Sequence, residues 1–249
     1  MANAWAAKTP EHFTFAVKVW QKFTHAKKIG ADTGVGGIWE KPTDDDVREF
    51  KSGITPLVRA NKLALLLFQY PAGFHHSEEN LERLRWALAA FSGYEKVVEL
   101  RHRSWSQRNE EVKTLLAEWG ASWAIIDEPK FQDSVRQDSA LAGELFYLRM
   151  HGRNQQKWWS HAEPWERYDY LYTPQQIRTV KETVGQQANR TAARGIYVLF
   201  NNHARGQAVA NGLMLKQELG QNIPLLPQHL VQTYPQLAPM PIEPRGTLL

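Results

Sequence analysis

The chain has 249 residues, 43% of them hydrophobic and 22% charged, enough for one large α/β domain or two small ones with a sizeable core. It has no cysteine, which excludes disulfides, thiolate metal sites and a cysteine nucleophile and fits a reducing, cytoplasmic setting. A net charge of +4 is too small to argue for a nucleic-acid partner by itself, although a sequence pI near 9.2 keeps that partner open.

The start, MANAWAAKTPEH, has no apolar core and does not read as a signal peptide, and no stretch is apolar enough to span a membrane. Phe13 to Val19 reads as the first strand and Leu63 to Gln69, the most apolar run, as the second. Between them Thr43 and Asp44 to Asp46 open a helix that Gly53 and Pro56 are expected to break in two. Ser77 caps a helix whose Leu81, Leu84, Leu88 and Phe91 make one apolar face. Lys96 to Leu100 is the third strand, and Asn109 caps a helix that stops at Gly120. Ser122 to Asp127 and Leu145 to Met150 follow as strands. Thr173 and Pro174 open another helix, Ile196 to Phe200 is the sixth strand, and a last helix covers about Gln207 to Leu219. Past Gly220 the chain is proline-rich and loop-like, so residues 1–220 are expected to form the domain and 221–249 a tail.

Near-continuous apolar runs mean strands buried on both faces, and their alternation with helices predicts a parallel sheet, open or closed into a barrel. Nearly every run ends in a charged or amide group: Lys18, Gln69, Glu99 with Arg101, Asp127, Arg149 with His151, and Asn201 with Asn202. An open sheet gathers such groups at its switch point, whereas a barrel draws on many strand ends, so the pattern favours a TIM (β/α) barrel. No glycine-rich phosphate loop follows any strand.

FAVK at Phe15 to Lys18, LLFQYP at Leu66 to Pro71, VELRHRSW at Val98 to Trp105, LRMHGRN at Leu148 to Asn154, YDYLY at Tyr168 to Tyr172 and FNN at Phe200 to Asn202 stand in the order of the YecE-like family, and the chain resembles that family from about Ala4 to Leu219. The resemblance implies a TIM barrel. It also implies two further strands ahead of Phe13 to Val19, so six of eight are expected here, through a misassigned start or a fragment that needs a partner. Arg103 stands where the family usually has proline, while Glu99, Arg101 and His102 keep the pattern.

On the barrel reading, the strand-end groups share one mouth. Glu99, Asp127 and His151 are the candidate catalytic residues, and Lys18, Gln69, Arg101, Arg149, Arg153, Asn201 and Asn202 the candidate substrate-binding ones. Glu99 and Arg101 stand two apart and point to one face of a strand, and a paired guanidinium would lower the carboxylate's pKa by about 1 to 3 units. Arg149, His151 and Arg153 alternate around Gly152 and could clamp a phosphate or carboxylate. Lys18 reads as mid-strand, while His25 reads as part of a solvated basic loop with Lys22, Lys27 and Lys28. Trp158, Trp159, Trp165, Tyr168, Tyr170 and Tyr172 fill a long connection that is either a lid or a roof.

These residue types suit an enzyme that works on a small anionic, phosphorylated, sugar-like or nucleotide-like substrate by acid/base hydrolysis or isomerisation. A nucleic-acid-binding protein, a metal-dependent nuclease with Glu99, Asp127 and His151 as ligands, and an inactive truncated barrel are the alternatives. No cofactor is implied, and a divalent metal stays open.

Overall fold

The computed structural model describes residues 1–26, 39–137, 143–190 and 193–244. Contacts divide the chain into two compact units, one of residues 1–124 with 131–145 and one of residues 125–130 with 146–249.

The first unit is built on a four-stranded sheet in the order β1 (Phe15–Lys18), β2 (Leu63–Gln69), β3 (Lys96–Glu99), β4 (Ala121–Trp123), with every pair parallel. An unpredicted helix, α1 (Ala2–Lys8), precedes β1, and the Lys62 ammonium ties its end by donating to the carbonyls of Ala6 and Thr9, both at 2.7 Å. Helix α2 (Asp44–Arg59) is a single helix of 16 residues, so the expected break at Gly53 and Pro56 does not occur. Pro56 lies in its last turn, where the missing N–H removes one bond near the end, and the buried Val47, Phe50, Ile54 and Leu57 hold the helix on the sheet. Its start is a capping box, with Thr43 accepting from Asp46 N–H and Asp46 accepting from Thr43 N–H.

Helix α3 (Glu78–Ala90) starts at Ser77 as the sequence predicts. Two helices follow β3, the short α4 (Arg103–Ser106) and α5 (Asn109–Glu118). Asn109 is not a cap: it is the first helical residue, and its side chain donates to Glu110 instead of accepting a backbone N–H. Leu66, Val97 and Val98 on the strands and Leu84, Leu88 and Leu116 on the helices are all fully buried, each contributing about 1.5–3 kcal/mol relative to an exposed position.

The second unit holds β5 (Ile125–Asp127), β6 (Leu145–Met150) and β7 (Gly195–Phe200) in that order, with β5 parallel to β6. The expected strand Ser122 to Asp127 is therefore two strands in two sheets. The chain changes partner at Ala124, whose N–H still donates to Val98 O at 2.8 Å, while Ile125 pairs with Leu148. Helix α6 (Pro174–Ala188) opens with the predicted Thr173 cap, completed by Gln176 into a capping box. Helix α7 (Gln207–Glu218) follows β7. In the proline-rich stretch α8 (Gln228–Thr233) is followed by a short turn, and Leu226, Tyr234, Leu237 and Met240 are buried. No helix among the described residues is long and apolar enough to cross a membrane.

Candidate functional site

In the first unit the strand ends are aligned. Gln69, the last residue of β2, is the register partner of Glu99, the last residue of β3. Glu99 is 0% exposed, and Arg101 reaches back so that its Nε and Nη2 both lie 2.7 Å from Glu99 Oε1. The pairing expected from their spacing is present, although Arg101 lies just beyond the strand rather than within it. Lys18 closes β1 and is exposed, which corrects its placement as a buried mid-strand residue: β1 stops there, with Val19 N–H donating to Leu67 O.

His25 belongs beside this group and not to a solvated loop. Thr24 Oγ1 lies 2.8 Å from its Nδ1, and burial first, then the charges of Lys18 and Arg101, pull the ring below its ordinary value of 6.5. Lys22 pairs with Asp46 at 2.6 Å, and Lys27 and Lys28 lie outside the described residues. Beyond β3, His102 accepts Ser104 N–H at 3.2 Å as the cap of α4 and stacks on His75 with ring centroids 3.8 Å apart. Burial, His75 and Arg103 lower the His102 pKa, against an opposing pull from Asp133.

Both rings thus bind protons less readily folded than unfolded. Their unfavourable contribution is absent above the ordinary histidine value and grows as pH falls below about 6.5, becoming complete below the folded values. Acidification through that window is expected to lower stability, and His25→Gln or His102→Asn to flatten the slope. Urea denaturation across a pH series reads it, and parallel wild-type and variant slopes would reject it.

In the second unit, the ends of β5, β6 and β7 deliver their polar groups into one network. Asp127 closes β5 and accepts two bonds from Arg153, Nε to Oδ1 at 2.9 Å and Nη2 to Oδ2 at 2.5 Å. Tyr172 Oη donates to the same Oδ1 at 2.8 Å and accepts the Gly152 N–H at 2.9 Å. Burial, followed by the charge and hydrogen bond of Asp127, raises the Tyr172 phenol well above its ordinary range, and the Asp127 hydrogen bond likewise raises Arg153. Gly152 has φ +91°, and a Cβ there would fall 2.8 Å from the Tyr170 Cβ, so glycine is required where the chain turns past the tyrosines.

His151 is 0% exposed, and its Nδ1 lies 3.3 Å from Asn201 Nδ2. Arg149 Nη2 donates to Asn201 Oδ1 at 3.1 Å. The alternating row of Arg149, His151 and Arg153 is thus divided, Arg153 serving Asp127 and Arg149 serving Asn201.

Trp158, 5% exposed, meets the His151 ring edge-on at 6.4 Å, and Tyr168 lies 6.1 Å from the same ring. Tyr170 accepts from Gln176 Nε2 at 2.8 Å, while Trp159 and Trp165 are exposed. Asn202 is buried, donating to Tyr170 O and to Asn211 Oδ1, both at 2.8 Å. Asn211 on α7 escaped the sequence reading. It is 0% exposed and bonds both Tyr172 N–H and Tyr172 O, and the only available signal was an amide on the helix face that carries Ala210, Met214 and Leu215.

Among the described residues no three His, Asp or Glu side chains are grouped to hold a metal ion, and the Asp127 oxygens are already engaged. The set Glu99, Asp127 and His151 is therefore not a formed metal site in this structure.

The family described as "Protein of unknown function DUF72" matches residues 1–235. The chain belongs to the DUF72 family. It is 31% identical over 223 residues to the UPF0759 protein YunF of Bacillus subtilis (strain 168), covering 86% of this chain and 76% of that one. Among solved structures it is similar to a DUF72 family protein (TM1631) from Thermotoga maritima MSB8, with 33% identity, a TM-score of 0.75, and coverage of 86% of this chain and 76% of that one. It is also similar to a DUF72 family protein (EF0366) from Enterococcus faecalis V583, at 25% identity and a TM-score of 0.77, over 90% of this chain and 80% of that one. The α/β fold with parallel sheets is that of the DUF72 crystal structures. Arg103, which stands where the resemblance implies a proline, is the first residue of α4, where the N–H makes no bond within the helix. Arg103 uses that N–H to bond Asp133 O at 2.9 Å.

Proposed function

We propose that this DUF72 protein is an enzyme that works by acid/base chemistry on a small anionic substrate of phosphorylated, sugar-like or nucleotide-like character, as a hydrolase or isomerase on a (β/α) barrel. The barrel reading is supported by parallel strands that alternate with helices.

The observation that carries the chemistry is the relay from Arg149 to Asn201 to His151. Because a guanidinium can only donate, its bond to Asn201 Oδ1 fixes the amide so that Nδ2 faces His151. The neutral ring then accepts on Nδ1 and carries its proton on Nε2, a defined tautomer that makes Nε2 a donor toward a substrate oxygen. Asp127, held by Arg153 and Tyr172, is assigned a positioning role, and Glu99 beside Arg101 is the ionised carboxylate suited to act as a base. Lys18, Gln69 and Asn202 bind substrate oxygens or position the groups that do.

The test is a turnover screen over sugar phosphates, nucleotides and their esters. Glu99→Gln and His151→Gln are expected to lower kcat by about a hundredfold or more while far-UV circular dichroism stays unchanged. Turnover that survives both substitutions at the wild-type rate would remove these roles.

A further inference from the structure

Outside both strand-end networks, an open cavity of about 360 Å3 is lined by Arg103, Ser106, Gln107, Gln132 and Arg136. Gln107, Gln132 and Arg136 are exposed and the Arg103 side chain is 42% exposed, but backbone hydrogen bonds hold the two segments that carry the arginines. The segment from Arg101 to Ser106 runs antiparallel to the segment from Asp133 to Arg136 through the His102–Ser134 bridge. Val135 N–H donates to Arg101 O at 2.8 Å and Arg103 N–H to Asp133 O at 2.9 Å. Ser106 then locks the two arginine-bearing segments together, donating to Arg103 O at 2.9 Å and accepting Arg136 N–H at 3.0 Å.

The backbone bonds fix both arginine Cα positions, while the guanidinium groups are only lightly engaged. Among the described residues the Arg136 guanidinium makes one long contact, Nη2 to Phe131 O at 3.5 Å. Arg103 Nε lies 3.4 Å from Asp133 Oδ1, a carboxylate 68% exposed that solvent screens and a stronger anion displaces. Among the described residues that line the cavity there is no carboxylate, Asp133 standing at its edge beside Arg103, and two guanidinium forks with two side-chain amides supply the donors.

We propose that this cavity is a phosphate-binding site, in which Arg103 and Arg136 grip the oxygens of a phosphate group while Gln107 and Gln132 donate to what remains. Planar guanidinium forks match phosphate bidentately, and paired forks favour a dianion over a carboxylate. The volume lies at the low end for small-molecule sites, room for a phosphate with a small organic group. The same grip could be offered to a terminal phosphate on a small metabolite or to one along a nucleic-acid backbone. The inference is independent of the acid/base reading, since none of the five lining residues takes part in that chemistry.

Isothermal titration of the full chain with inorganic phosphate, with a sugar monophosphate and with a short single-stranded oligonucleotide tests it. Arg103→Gln and Arg136→Gln are each expected to weaken phosphate and sugar phosphate binding about tenfold, and the pair together more. Oligonucleotide binding that falls steeply with salt and is lost in the same variants assigns the phosphate to a nucleic-acid backbone; sugar phosphate binding without it assigns a metabolite. Arg103→Lys and Arg136→Lys, which keep charge but lose the fork, are expected to bind with intermediate affinity and serve where a Gln variant shifts the melting temperature. Absence of phosphate binding by the wild-type chain, or affinities in the double variants equal to wild type, overturns the assignment.

Discussion

Arg101→Ala is expected to destabilise the first unit by about 3–5 kcal/mol, more than Glu99→Gln, because it leaves a fully buried carboxylate without its guanidinium. The two partners are not equivalent. Glu99 is 0% exposed, whereas the Arg101 side chain keeps 18% of its surface in water. Removing the charge from Glu99 lets Arg101 turn outward and recover solvation, so Gln in its place costs about 1–3 kcal/mol, the price of weaker hydrogen bonds in the same shape. Removing the cation leaves the carboxylate buried where it cannot turn to water, and taking up a proton relieves its charge. Urea denaturation measures both, and the Arg101→Ala deficit is expected to shrink at acidic pH, where protonation relieves the buried charge. A variant order reversed, with Glu99→Gln the more damaging, would mean that the buried carboxylate is stabilised chiefly by groups other than Arg101.

The pairing behind this asymmetry is legible in the sequence, whereas the difference in burial is not. The spacing of Glu99 and Arg101 placed both on one side of a strand, and the contact formed even though the strand ends before Arg101. The Thr173 and Ser77 caps and the run Leu63 to Gln69 were equally plain, because short polar side chains before an apolar period leave the backbone few alternatives. Where the reading failed, the deciding interactions lie far away in sequence. The apolar run Ser122 to Asp127 has no local break, and only the change of partner at Ala124, from Val98 to the register of Leu148, divides it. Pro56 looked like a break because the buried face that overrides it is a tertiary property. His25 and Asn211 look ordinary in sequence, and each gains its meaning from strands or loops more than thirty residues away, Arg101 for one and Tyr172 for the other.

Asp127→Ala is expected to destabilise the second unit by about 2–3 kcal/mol, a value that discounts the bidentate pair because the Arg153 side chain is 45% exposed. The larger part comes from Tyr172, which is 0% exposed and loses the acceptor for its hydroxyl proton. Tyr172→Phe removes the same bond from the other side and also deprives the Gly152 N–H of its acceptor, at about 1–3 kcal/mol. Because one hydroxyl links both effects, the two substitutions are not additive, and the double variant is expected to be about 1 kcal/mol more stable than the sum predicts. Arg153→Ala isolates the guanidinium and is expected to be the mildest of the three, since Asp127 keeps Tyr172 and, at 19% side-chain exposure, some access to water. A double-mutant cycle by urea denaturation reads the coupling. Strict additivity would show that Asp127 and Tyr172 act separately, and the positioning role of Asp127 would then rest on Arg153 alone. A coupled result with Asp127→Asn close to wild type would instead show that shape and hydrogen bonding, rather than charge, hold the end of β5 in place.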